Sequence, residues 1–90
     1  MGKDVLIVDD EPNIVISLQF LMQQAGFVVR LAADGVAALA LIAERPPDLV
    51  LLDIMLPRLD GWEVCRRIRA NPAWQPMKVL LLTAKGRDVD

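Results

Sequence analysis

No histidine occurs in these 90 residues, and cysteine occurs once, at Cys65. The first absence removes histidine acid–base catalysis, histidine-ligated zinc and phosphohistidine formation from this chain. The second excludes an intrachain disulfide, which suits a reducing compartment. Any metal must then be held by oxygen, and that favours magnesium, manganese or calcium. An excess of one charge is missing too. Ten Lys and Arg against twelve Asp and Glu leave a net charge of −2, with no broad pull toward nucleic acid or anionic membranes. The cluster Arg66, Arg67 and Arg69 reads as the solvated face of a helix whose Val64, Cys65 and Ile68 turn inward. No apolar run approaches the roughly 18 residues that cross a bilayer. Val5 to Val8, before Asp9, is too short for a signal peptide. Met1-Gly2 resembles a myristoylation start, but position six is Leu6 where serine or threonine is wanted. The chain reads as soluble and intracellular, and its 54% apolar composition suffices for the core of one domain over residues 1–90.

What is present alternates between two periodicities. Asp4 to Asp9 reads as a buried strand. Glu11-Pro12 opens a helix in which Ile14, Leu18, Leu21, Met22 and Ala25 recur at helical spacing, and Gly26 ends it. Phe27 to Ala33 is a second strand, and Arg30 in its middle suggests an edge position, where a charge reaches water. Asp34 caps a second helix that begins at the permissive Gly35 and runs to Arg45, with Val36, Leu39, Ala40 and Ala43 on one face; Pro46-Pro47 stops it. Leu49 to Leu52 reads as a strand buried on both faces and closed by Asp53. A third helix runs from Gly61 to Ala70, with Asp60 as cap and Glu63 as capping-box partner. Asn71-Pro72 breaks it, Lys78 to Thr83 forms a fourth strand, and Gly86 to Asp90 opens a further helix. Strands alternating with helices in this way predict a doubly wound α/β fold with right-handed crossovers. The pattern stops at a fourth strand with no completed helix behind it, so further chain is expected after Asp90.

Ligands of open α/β sheets bind outside the carboxyl ends of the strands. The first strand ends at Asp9-Asp10-Glu11, the third at Asp53 and the fourth at Thr83, whereas the second ends in Ala32-Ala33. Asp53 lies seven residues before the third helix's own cap, so capping does not explain it. For one of Asp10 and Glu11, capping of the first helix is the simpler reading. Thr83 taken alone is an ordinary strand-end hydroxyl, and Lys85 and Arg87 are surface charges. If the first and third strands are neighbours, Asp10 and Asp53 approach one another with Asp9 close by. Carboxylates about 4 Å apart repel by roughly 4 kcal/mol at an effective dielectric of 20. Either one keeps its proton or a divalent cation sits between them. Magnesium is the natural occupant of such an oxygen site, with phosphate the anion it most often assists.

The acidic pair Asp9-Asp10 after Val-Leu-Ile-Val, Asp53 with Pro57 four residues on and Gly61 eight on, and Thr83-Ala84 at the end of the fourth strand together resemble the receiver domain of bacterial two-component response regulators. The match covers the chain from Asp4 onward. The resemblance implies a flavodoxin-like parallel sheet of order 2-1-3-4, with the family's fifth strand, last helix and essential lysine beyond Asp90; Lys85 is in the wrong place to replace that lysine. Residues 1–90 alone are therefore expected to phosphorylate poorly. It also implies that Asp53 accepts a phosphoryl group from a phosphohistidine on a sensor histidine kinase or histidine phosphotransfer protein. Asp10, Asp53 and the Met55 backbone carbonyl would bind Mg²⁺, with Asp9 assisting through water. Thr83 would donate its hydroxyl to the phosphoryl group, and the small Ala84 would line the entrance. A cytoplasmic regulatory domain follows rather than an enzyme, with an output domain behind it and room for a homodimer. The rival reading is a phospho-independent interaction module of the same fold. A magnesium-dependent phosphohydrolase ranks lower because its Asp-x-Asp is absent, and a dinucleotide site lower still because no Gly-x-Gly-x-x-Gly follows Val8.

Overall fold

A computed structural model describes residues 3–56 and 58–82. Its elements follow the alternation of the sequence: β1 (Lys3–Val8), α1 (Pro12–Gln24), β2 (Phe27–Ala32), α2 (Gly35–Glu44), β3 (Leu49–Asp53), α3 (Gly61–Ala70), a 3₁₀ turn (Pro72–Trp74) and β4 (Lys78–Leu82). The four strands form one sheet of order β2-β1-β3-β4, and every pairing is parallel. Thr83, Ala84, Lys85 and the helix expected over 86–90 lie outside the described residues.

Two side-chain sets alternate along β1 and β3 and bury both faces of the sheet. Leu6, Val8, Val50 and Leu52 meet Ala38 and Ile42 of α2 and Val64 and Ile68 of α3. Val5, Ile7 and Leu51 face the other way, toward Leu18 and Met22 of α1. An unbroken apolar run is what such a doubly covered strand requires. The position of β2 as an edge agrees with Arg30, whose guanidinium serves as more than a solvated charge. It donates to the carbonyls of Leu41 at 3.2 Å and Arg45 at 2.6 Å, tying the end of α2 to the sheet edge; the Leu41 carbonyl also accepts from the Arg45 amide.

Helix boundaries match the cap chemistry of the sequence, with two exceptions. Asp34 accepts from the Ala37 amide at 2.8 Å and Asp60 from the Glu63 amide at 2.9 Å. Glu11 occupies the N-cap position of α1 but makes no side-chain cap bond. The Glu11 amide donates instead to Asp9 Oδ1 at 2.8 Å. Nor does Glu63 turn back to its own helix start: its carboxylate pairs with Arg66 and Arg67.

Two helix faces differ from the expectation. In α2 the stripe Val36, Ala40 and Ala43 is exposed, Val36 by 53%, while Ala38 and Ile42 are buried. Alanine-rich helices are apolar all round, so periodicity selects no face; here the sheet takes the stripe holding the bulky Ile42. In α1, Leu18 and Met22 reach the core, but Leu21 is 58% exposed and Ala25 is exposed as well. Leu21 lies one residue, about 100°, round the helix from Met22.

Candidate functional site

β1 and β3 are paired in register from Val5 opposite Leu49 to Val8 opposite Leu52. The next residue of each strand's path is an aspartate. Parallel pairing therefore delivers Asp9 and Asp53 side by side at the carboxyl end of the sheet, and Asp10 follows where the chain turns toward α1. Asp9, Asp10 and Asp53 each bring a carboxylate oxygen within 4.8 Å of the others. Asp9 is 2% exposed and Asp53 fully buried, while Asp10 is exposed. The sequence expectation for these three residues thus meets in one place, with Asp10 as the solvent-facing member.

Local hydrogen bonds set the two buried carboxylates. Asp9 Oδ1 accepts from the Glu11 amide at 2.8 Å, and Asp53 Oδ1 accepts from the Met55 amide at 3.0 Å. In both cases the donor lies two residues on, the geometry of an aspartate that closes its own turn. These turns end the strands' regular course at the acids. The Ile54 amide then continues the ladder to the Leu82 carbonyl of β4 at 3.3 Å.

Glycine fixes the return of the chain. A Cβ on Gly61 would overlap the Asp53 carbonyl oxygen and the Ile54 Cα, and would lie 3.0 Å from the Asp53 carbonyl carbon. The start of α3 therefore rests directly on the backbone of Asp53, and the Gly61 amide donates to the Ile54 carbonyl at 3.2 Å. Between them, Arg58 has φ of 66°, a left-handed conformation that a non-glycine residue rarely adopts. Gly35 makes a second close approach, its missing Cβ leaving space for the backbone of Leu59. Neither Arg58 nor the tertiary contact of Gly35 was expected from the sequence. An Asp-Gly pair before a helix already has a local explanation, and nothing local in Arg58 announces its backbone angle.

Hard oxygen donors, crowded at a strand end and drawn from two elements, suit a divalent cation. Magnesium holds its ligands at about 2.0–2.1 Å and calcium at about 2.3–2.6 Å, so ligand atoms as much as 4.8 Å apart fall in direct reach of calcium and close around magnesium with a small inward movement. Repulsion between the buried pair Asp9 and Asp53 at that limit is roughly 3–4 kcal/mol at an effective dielectric of about 20, a cost that a bound cation removes. Beside the acids opens a crevice of about 310 Å³ lined by Asp9, Asp10, Pro12, Val15, Leu31 and Ala32 among others. It touches Asp9 and Asp10 but not Asp53. A second cleft, about 210 Å³ between Pro47, Trp74 and Met77, has Asp48, beside the start of β3, as its one carboxylate and lacks this chemistry.

Comparison with known proteins identifies the family and the fold. The response regulator receiver domain family matches residues 5–90. The chain is 44% identical, over all 90 residues, to the alkaline phosphatase synthesis transcriptional regulatory protein PhoP of Bacillus subtilis strain 168, and spans 37% of that relative's length. Among solved structures it is similar to the N-terminal domain of a response regulator receiver protein from Methanoculleus marisnigri JR1. There the TM-score is 0.85 at 41% identity, covering 96% of this chain and 70% of the other. It is also similar to the receiver domain of sensor histidine kinase PA1611 from Pseudomonas aeruginosa PAO1, with a TM-score of 0.87 at 32% identity, covering 94% and 70%. That structure has a magnesium ion coordinated in its active site cleft.

Proposed function

The chain belongs to the response regulator receiver domain family, and on that footing we propose that Asp53 accepts a phosphoryl group from a phosphohistidine in a Mg²⁺-dependent reaction. Receiver domains are regulatory rather than classical enzymes; they pair with histidine kinases and often with output domains. The observation that carries the reading is the meeting of Asp9, Asp10 and Asp53 at one sheet end, with the central acid, Asp53, wholly out of solvent.

Phosphoryl transfer asks a protein chiefly for positioning and for neutralisation of charge. An Asp53 oxygen attacks phosphorus in line. A P–O bond forms, the P–N bond breaks, and the ring leaves as neutral imidazole when its far nitrogen carries a proton. Carboxylates are an established class of nucleophile for such acyl phosphates. The hydrogen bond from the Met55 amide to Oδ1 orients the Asp53 carboxylate. In this reading Asp10 and Asp53, with the Met55 carbonyl, hold the ion directly, and Asp9 acts through water. Bound there, Mg²⁺ would offset the charge of the acids and of the incoming phosphoryl oxygens. Because Asp53 is enclosed while Asp10 is exposed, a donor approaches past Asp10 and reaches Asp53 when the rim opens. Thr83 as hydroxyl donor to the phosphoryl group and Ala84 as entrance residue complete the proposal. A cytoplasmic histidine kinase or phosphotransfer protein is the donor it implies, and an output domain the recipient of the signal.

Treatment of the full-length protein with a small phosphodonor and Mg²⁺ tests the assignment. Wild type labels and Asp53→Asn does not. Equal labelling of both places the acceptor elsewhere, and labelling of neither favours a phospho-independent interaction module.

A further inference from the structure

We propose that Gly35, at the first position of α2 and remote in sequence from the acids, is a positioning residue for the site. It lets α2 lie against the backbone of Leu59 and so fixes residues 58–61, whose last member rests on Asp53 and Ile54. The inference rests on the acidic cluster being the metal-binding phosphoacceptor site.

The contact is tight on every side. A Cβ on Gly35 would overlap the Leu59 carbonyl oxygen and would lie 2.7 Å from Val64 Cγ2 and 2.9 Å from Leu59 Cβ. Side chains do not approach so closely, so adding one methyl forces something to move. α2 is held by Ala38 and Ile42, both fully buried. Val64 is fully buried too, and a β-branched side chain has few rotamers to retreat into. Asp34, which caps α2 through the Ala37 amide, further restrains the helix start. The element left to yield is the loop at Leu59, which is half-buried and follows the left-handed Arg58.

That loop has little slack. At its far end Gly61 sits on the Asp53 carbonyl and Ile54 Cα with no room for a methyl group. At its near end the Met55 amide holds Asp53 Oδ1. A displacement of Leu59 is therefore passed to Gly61, and from Gly61 to the Asp53 and Ile54 backbone on which it rests, next to the Met55 amide that sets the Asp53 carboxylate. Two glycines on different helices thus clamp one loop, Gly61 from α3 and Gly35 from α2. Preorganisation of this kind matters where misplacement by about 1 Å costs on the order of 100-fold in rate.

The test compares Gly35→Ala with Ala37→Gly in a background where every tryptophan but Trp62 is replaced by phenylalanine, Trp74 included, so that Trp62 reports alone. Ala37→Gly perturbs the same helix turn, keeps the amide that Asp34 caps, and adds no atom at Leu59. In Gly35→Ala the amide resonances of Ile54, Met55 and Gly61 shift without metal, and the Mg²⁺ midpoint from Trp62 fluorescence rises about tenfold in the folded protein. Ala37→Gly lowers the melting temperature but leaves those resonances and the midpoint in place. Unmoved loop resonances in folded Gly35→Ala, or an equal change in Ala37→Gly, overturn the proposal. If the wild type itself shows no Mg²⁺ response, the metal-site reading fails, and the resonances still decide whether Gly35 positions the loop. Should Gly35→Ala not fold, Gly35→Ala/Leu59→Gly removes the Leu59 Cβ and frees its carbonyl to turn. Recovery of the fold with a wild-type midpoint and unshifted Ile54 and Met55 amides would likewise overturn it.

Discussion

At the scale of the residue, the site depends on backbone conformations as much as on its carboxylates. Arg58 at φ 66° sits in a region that costs an L-residue about 1–2 kcal/mol. Glycine adopts it freely but loses about 0.5–1 kcal/mol of chain entropy on folding. Arg58→Gly is therefore expected to stabilise the protein by about 0.5–1 kcal/mol, read as a higher urea midpoint at unchanged slope. A lower midpoint would mean that the exposed arginine makes a compensating contact. Asp53 shows how far single residues could be read in advance. An acid ending an apolar strand, seven positions ahead of a helix already capped by Asp60, is not needed as that helix's cap, and the surplus made it a candidate from sequence. Arg58 and Gly35 left no such surplus. Their roles arise from tertiary approach, which neither spacing nor composition encodes.

Among elements, the caps divide into those that bond and those that do not. Asp34 accepts a hydrogen bond from the Ala37 amide and Glu11 makes no side-chain cap bond. Asp34→Ala should therefore cost about 1 kcal/mol and Glu11→Ala close to nothing, compared by chemical denaturation of the two variants. Equal losses would contradict the cap assignment. At the other end of α2, Arg30 bridges from β2 to the Leu41 and Arg45 carbonyls. Hydrogen bonds from a charged donor contribute about 1.5–3 kcal/mol when well shielded. With the side chain only half-buried, Arg30→Met is expected to cost about 1–2 kcal/mol, with fraying of the last turn of α2 visible as faster amide exchange at Arg45. Element order and caps were legible because proline, glycine and capping acids punctuate the chain. The inward faces of α1 and α2 were less so. Leu21 and Val36 are apolar yet exposed, because a helix rich in apolar side chains offers several stripes and the sheet accepts one.

For the molecule as a whole, the parallel sheet separates two ends with different duties. At the amino ends of the strands, the Asp4 amide bonds Asp48 Oδ2 at 2.8 Å and Asp4 pairs with Arg45 at 3.2 Å. The carboxyl ends carry the three clustered acids. Between the two ends lies the core, where Ile42 of α2 is fully buried against the sheet. Ile42→Ala should cost about 2–5 kcal/mol, a large share of the 5–15 kcal/mol typical of a domain, measured as the loss in unfolding free energy. A loss under 1 kcal/mol would show that the core relaxes around the void. The sheet order 2-1-3-4 came from resemblance alone; no residue pattern in β1 dictates that β3 rather than a later strand lies beside it. One consequence of the enclosed Asp53 extends beyond how it is reached. If Asp53 is the phosphoryl acceptor, the enclosure that leaves it fully buried would also keep bulk water from hydrolysing the acyl phosphate made there. The memory of a signal stored there would then fade at a pace set by how often that enclosure breathes, more than by the fragility of the bond itself.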